Sequence, residues 1–364
     1  MLGSYLVPRG YGVYNSYASD VIQIDNYMLF VPYLLFSLTI FYILSYDYIK
    51  KSNEIKYSEK KNKQTNYIVF GLYIISLFLG FPVAVQLGFL IIFLSNLDKG
   101  EKTQKLFFYI IMLVLSVKFY SFDKRNIIVV LFLIVFFETI KSYKSIRISV
   151  KNVLILSFTS ILFLFLIITA SINRGYGSFE DKSFKNTLTN SIEYIQSDFF
   201  IDAITDNLEL NYNYGATFVA LDYVDKGIIE YQYGLTLIKP LFIPIPRTIF
   251  PDKPLSFMNL YTKEYEYSEW IKGAALPVIF PVELYGNFFY LGLFVLFLFY
   301  RVLNEMYMVI VKDSNRINFK FFVSVFFVIT HLFFIRGGGI DLYVLYFLFA
   351  IPTYFISKMV IRKV

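Results

Sequence analysis

The sequence predicts an all-helical protein that crosses a membrane many times and carries one large hydrophilic loop. Three observations predict this. Hydrophobic residues make up 57% of the 364 residues and charged residues only 17%, where soluble domains carry roughly 25% charge. Apolar runs long enough for a bilayer recur along the chain. Lysines and arginines gather in the short loops between those runs. The mean hydropathy is +0.57, and 42 Phe and 32 Tyr accompany a single Trp. This excludes a soluble globular enzyme, a disordered chain and a disulfide scaffold. With no Cys and one His, His331, thiol chemistry, cysteine zinc sites and multi-histidine metal sites are excluded as well.

In chain order, spans are expected at 27–46, 105–121, 127–141, 152–171, 284–303, 318–335 and 341–358. The stretch 67–96 is too long for one simple crossing and holds Gly80-Phe81-Pro82 at its middle. Glycine and proline there break a helix, so a tight hairpin of two short spans is expected. Nine spans result. The loops 47–66, 97–105 and 141–151 and the C-terminal tail are all rich in Lys and Arg, which puts them in the cytoplasm. The N-terminus then lies outside. The stretch 172–283 also lies outside, with 9 Lys/Arg against 15 Asp/Glu, a net of −6, while the remainder nets +13. The overall +7 is therefore a topogenic signal, not a nucleic-acid surface, and no nucleic-acid partner is expected. Three parts follow: N-terminal transmembrane helices over 1–171, a large outer loop domain over 172–283, and C-terminal transmembrane helices over 284–364.

Within the loop, Phe184, Leu188, Ile192, Ile195, Phe199, Ala203 and Ile204 recur at helical spacing. An amphipathic helix there suits either the outer leaflet or ordinary packing. Further on, Pro244, Pro246, Pro251 and Pro254 fall within eleven residues around Arg247. Prolines at that density forbid a regular helix or central strand, so an extended, stiffened track is expected. Tyrosines crowd the same region. They suit membrane interfaces and offer flat faces to sugar rings.

The chain has 9 Arg against 25 Lys, so the placement of arginine carries information. Arg125, Arg174, Arg247 and Arg336 lie on the outer side, against the positive-inside trend. Arg125 sits in the turn Asp123-Lys124-Arg125-Asn126. Arg336 follows His331 by five residues and precedes Gly337-Gly338-Gly339. Arginine stays charged and grips phosphate bidentately, and a glycine-rich turn admits a ligand closely. Each arginine alone also suits snorkelling to lipid head groups. Four together point to an anionic ligand at membrane level, for which a lipid-linked pyrophosphate is the natural choice.

Four features carry a family resemblance. They are Pro246-Arg247-Thr248-Ile249-Phe250-Pro251-Asp252-Lys253-Pro254, the re-entry Val282-Glu283-Leu284-Tyr285-Gly286-Asn287, the basic turn at Asp123-Lys124-Arg125, and many spans with one dominant outer loop. Across about residues 105–358 the chain resembles the O-antigen polymerases, or oligosaccharide repeat-unit polymerases, of bacterial polysaccharide assembly. The resemblance implies about nine to eleven transmembrane helices in a glycosyltransferase C-type architecture. It implies a place in the bacterial inner membrane, with the site facing the periplasm. The implied activity joins undecaprenyl-diphosphate-linked oligosaccharide repeats, moving the growing chain onto an incoming repeat. The lipid-linked oligosaccharide and membrane lipids are the expected partners. A chain-length regulator protein remains an open one.

The leaving group in that reaction is a lipid diphosphate, and preorganised cations stabilise the charge it develops. Catalytic roles are expected for Arg247 and Arg336, with Glu283 and His331 as candidate bases near the outer mouth. Glu283 is equally suited to pairing with an arginine, and His331 to a neutral role inside the bundle. Pyrophosphate or sugar contacts are expected from Arg125, Lys124, Arg174, Lys253 and Tyr285. No acidic metal-binding motif is apparent, so no metal and no cofactor are expected. Two rivals remain: an O-antigen ligase with another acceptor, and a non-enzymatic polysaccharide flippase or transporter. The flippase would carry charges along its spans, whereas the ionisable groups here cluster at one face.

Overall fold

The computed structural model describes residues 27–53, 67–97, 102–119, 129–137, 210–243, 245–246, 248–313, 318–335 and 340–362. Every regular element among them is helical. The chain divides into two compact units, one of Met1–Ser19 with Glu101–Tyr214 and one of Asp20–Gly100 with Gly215–Val364. In the first, α4 spans Lys102–Phe119 and α5 spans 129–137. The expected span 152–171 and the amphipathic helix over 184–204 lie outside the described residues.

The second unit holds α1 (Tyr27–Asn53), α2 (Tyr67–Phe78), α3 (Val83–Asn96), α6 (Leu210–Asp225, inside this unit from Gly215 on), α7 (Leu235–Ile238), α8 (Phe257–Tyr265), α9 (Tyr267–Ile271), α10 (Phe280–Phe288), α11 (Gly292–Asp313), α12 (Phe319–Ile335) and α13 (Asp341–Arg362). Its long helices pack as a series of neighbours. Helix α1 lies on α11, α11 on α12, α12 on α13, α13 on α3 and α3 on α2. The region 280–312 and the helix stretch 343–360 are each long and apolar enough to cross a membrane.

The break between α2 and α3 falls at Gly80-Phe81-Pro82, where the sequence puts it. Gly80 takes φ +64, and Phe70 of α2 meets Phe93 of α3 with ring centres 4.7 Å apart. At 12 and 14 residues, the two helices are only about 18 and 21 Å long, short of a hydrocarbon core of about 30 Å. At the contact of α3 with α13, Gly88 lies under Thr353, so close that a Cβ would come within 2.7 Å of the threonine Cγ2.

The expected span 284–303 contains a break. Its long helix begins at Gly292 and runs to Asp313, 22 residues or about 33 Å. The residues before it form the separate helix α10, which folds back along α11. Phe280 and Phe299 have ring centres 4.9 Å apart. In one straight helix those residues would sit about 28 Å apart. The reversal occurs at Phe289, whose φ of 55 and ψ of −137 stop the helix, followed by the short 3-10 turn Phe289–Leu291. Continuous hydropathy hides this break, because the turn residues are as apolar as the helices they separate.

Gly292 makes the reversal possible. A Cβ there would stand 2.7 Å from the Leu284 carbonyl oxygen and 2.8 Å from its carbon. Both are backbone atoms of a buried helix and cannot step aside.

Large apolar side chains remain exposed along the outer faces of the bundle. On α11, Phe294, Leu298 and Val302 are 63%, 45% and 44% exposed and recur every four residues, one helical stripe. Such contiguous apolar exposure suits lipid and not water.

Gly292→Ala should lower the thermal midpoint of the detergent-solubilised protein, by an overpacking cost of about 1–3 kcal/mol. Gly71→Ala, where nothing lies within 4 Å of the added carbon, should leave it within error.

Candidate functional site

Helix α10 is nine residues long and is buried from Val282 to Asn287. Pro281 fixes its first turn, and Glu283 sits in that turn, where the helix dipole favours a carboxylate. Each side of the helix has its own support. Phe280 and Leu284 join Leu296 and Tyr343 in one apolar cluster. Phe30 and Tyr33 of α1 meet Tyr285 edge-on, at 6.2 and 5.0 Å, and the Tyr33 hydroxyl donates to the Pro281 carbonyl at 2.7 Å. Phe257 of α8 packs on Gly286 so tightly that a Cβ would fall 2.1 Å from its ring.

The remaining side, carrying Glu283 and Asn287 one turn apart, is covered by a strap over residues 230–243. The Gln232 N–H donates to the Gly286 carbonyl at 2.9 Å, and the Gly234 N–H donates to Asn287 Oδ1 at 2.9 Å. Gly234 takes φ +90 against the Phe288 ring, a conformation natural to glycine. The next turn brings in Thr236, 2% exposed. Its hydroxyl donates to Glu283 Oε1 at 2.8 Å and accepts from Asn287 Nδ2 at 2.7 Å. The same Asn287 Nδ2 also donates to the Glu283 carbonyl. The bonds therefore run in one direction, from amide to hydroxyl to carboxylate. They hold Glu283, 4% exposed, in one orientation, as buried polar groups demand.

Beside this network stands an aromatic cluster. Tyr285 contacts Phe289 and Tyr290 with ring centres 4.9 and 5.9 Å away, and Tyr231 meets Phe289 at 5.9 Å. A side-chain hydrogen bond joins Tyr231 to Tyr285. Burial, and after it the Asp225 carboxylate, raises the Tyr231 pKa above its ordinary value, so the phenol stays neutral. Tyr285, expected to touch substrate, is 2% exposed and packs inside this cluster.

His331 lies in the interior of the bundle. Its Nδ1 is 2.9 Å from the Tyr343 hydroxyl, and the Phe299 and Tyr300 rings lie 5.5 and 5.9 Å from the imidazole. Tyr343 belongs to the cluster that also buries Phe280 and Leu284, whereas Glu283 faces the strap on another side of α10.

The proline-rich segment is corrected from an extended track to a run of turns. Ile243 N–H donates to Pro240, Ile245 to Phe242, and both Ile249 and Phe250 to Pro246. The Phe242 and Phe250 rings close to 5.6 Å, and Lys253 Nζ lies 3.4 Å from the Ile243 carbonyl. Proline forbids helix and strand, but its fixed φ and free carbonyl suit tight turns. Lys253, expected at the ligand, closes this loop.

Arg125, Lys124, Arg174, Arg247 and Arg336 lie outside the described residues. Thr236 and Asn287 had no expected role. Their only signal in the sequence is polarity inside apolar runs, and for Asn287 the four-residue spacing from Glu283. Among the described residues, no group of three or more His, Asp or Glu side chains could hold a metal ion. Comparison with family models, curated proteins and solved structures gives no match.

Thr236→Val should destabilise the protein by about 1–3 kcal/mol, because it removes the buried hydroxyl that donates to Glu283 Oε1 and accepts from Asn287 Nδ2. Thr236→Ser should recover most of the loss. The emission of the single tryptophan, Trp270, during thermal denaturation reads both.

Proposed function

We propose that this protein is a membrane glycosyltransferase that polymerises oligosaccharide repeats carried on a lipid diphosphate, at the outer face of a bacterial inner membrane. The observation that carries the reading is the buried Glu283 carboxylate, oriented by Thr236 on a folded-back helix. The strap that orients it runs on in sequence into the turns around Arg247. The outward placement that the sequence predicts for Arg125, Arg174, Arg247 and Arg336 would supply the cations that a departing diphosphate needs.

In this reading a hydroxyl of the incoming repeat attacks the anomeric carbon of the growing chain. The bond from that carbon to the phosphate oxygen breaks, and its electron pair leaves on the lipid diphosphate. Arg247 and Arg336 stabilise the new charge, with Arg174 and Arg125 assisting. The hydroxyl proton passes late to Glu283, since the transition state resembles an oxocarbenium ion. His331, bonded to Tyr343 in the bundle interior, takes no part in the proton transfer in this reading. The reading involves no cofactor. A ligase would use the same donor with a different acceptor, and the cellular phenotype separates the two.

Arg247→Ala and Arg336→Ala should each insert normally yet leave only single-repeat glycans in cells that depend on this protein. One preorganised donor is worth about 3–4 kcal/mol, a rate loss of roughly a hundredfold or more. Electrophoresis of the cell-surface glycan reads the outcome. Long chains at the normal modal length would refute that residue's role, and loss of all attached glycan would favour the ligase. Glu283→Gln keeps the acceptor for Thr236 and should still slow chain growth.

A further inference from the structure

The strap has its polarity reversed. In helix α7 and the 3-10 turn Lys239–Phe242 that follows, Thr236 and Pro240 are buried and Leu237 packs on the apolar core. Leu235, Ile238 and Leu241 point away from the protein, 47%, 43% and 74% exposed. Ile249, in the turns beyond, is 73% exposed. A segment bathed in water would place its threonine outward and its leucines inward. Between Glu230 and Asp252 the chain carries only Lys239 and Arg247 as charged residues, while charges resume on both flanks.

The strap also adjoins surface that already suits lipid. Gly234 lies against Phe288, and Tyr231 against Phe289. From there Leu291, 76% exposed, leads into the stripe of Phe294, Leu298 and Val302 on α11. The 3-10 turn packs against α13, whose Leu348 and Phe355 are both 51% exposed.

We propose that the strap over residues 230–243, with the turn residues 248–251 that follow in sequence, is an interfacial membrane anchor whose Leu235, Ile238, Leu241 and Ile249 insert among the lipids of the bilayer. Part of a loop whose overall charge is that of an aqueous domain is then seated in the membrane surface. Glu283 consequently lies at membrane level beneath a lipid-facing cover. The inference rests on exposure and polarity alone and does not require the glycosyltransferase reading.

The chain has no cysteine, so single-cysteine variants need no background removal. Leu241→Cys and Ile249→Cys, each labelled with the environment-sensitive fluorophore NBD, are reconstituted into phosphatidylcholine vesicles with doxyl-labelled lipid. Leu298→Cys on the α11 stripe serves as the lipid reference and Lys272→Cys, exposed in the turn after α9, as the aqueous one. The anchor predicts blue-shifted emission at 241 and 249, quenched at least about twofold more by doxyl lipid than by aqueous iodide. Quenching mainly by iodide, as at 272, would overturn it, and so would protection from both quenchers, which means a protein cover. Unchanged Trp270 emission identifies the variants that retain the fold, and only these are scored.

Discussion

The close approach of Gly292 to the Leu284 carbonyl is the contact on which the described architecture turns. It lets a helix that has just ended at Phe289 lie back along its successor. That reversal places nine residues of helix in the middle of the bundle, reached by α1, α8, α11 and the strap at once. A side chain at 292 would push α10 away, and each of those supports would lose its register together. The bulky Phe289 accepts a positive φ at the reversal, a local cost that the surrounding packing must offset.

Because α10 is held from every side, the polar groups on it are fixed too. Thr236 links Glu283 and Asn287 through one hydroxyl. A carboxylate this deeply buried is costly unless bonded. The network therefore serves stability before it serves any chemistry. In the proposed reading its meaning comes from the strap, which leads on in sequence to Arg247 and turns exposed apolar side chains outward.

Much of the architecture was legible in the sequence, and the exceptions have physical causes. Gly80 and Pro82 announce a break, and the helices divide there. The reversal at Phe289 carries no such mark, since apolar residues continue through it and only Gly292 hints at a close contact. Prolines around Arg247 suggest an extended track, whereas the Pro246 carbonyl closes a turn. Outward leucines on the strap could not be told from core leucines, because periodicity gives a face but not which medium that face meets. Glu283 stands out in the sequence as a carboxylate at the start of an apolar run. Thr236, far away in sequence, was not, because a hydroxyl partner depends on the tertiary fold.

The proposed chemistry joins a held carboxylate to arginines that the sequence leads one to expect on the outer side, where lysines are sparse. Its central claim is glycosyl transfer driven by protein cations at membrane level. The most direct test incubates the purified protein in liposomes with lipid-diphosphate-linked oligosaccharide repeats and a divalent-metal chelator. The account predicts a ladder of lengthened glycans with stoichiometric release of lipid diphosphate. No elongation, or elongation only when divalent metal is restored, would contradict it.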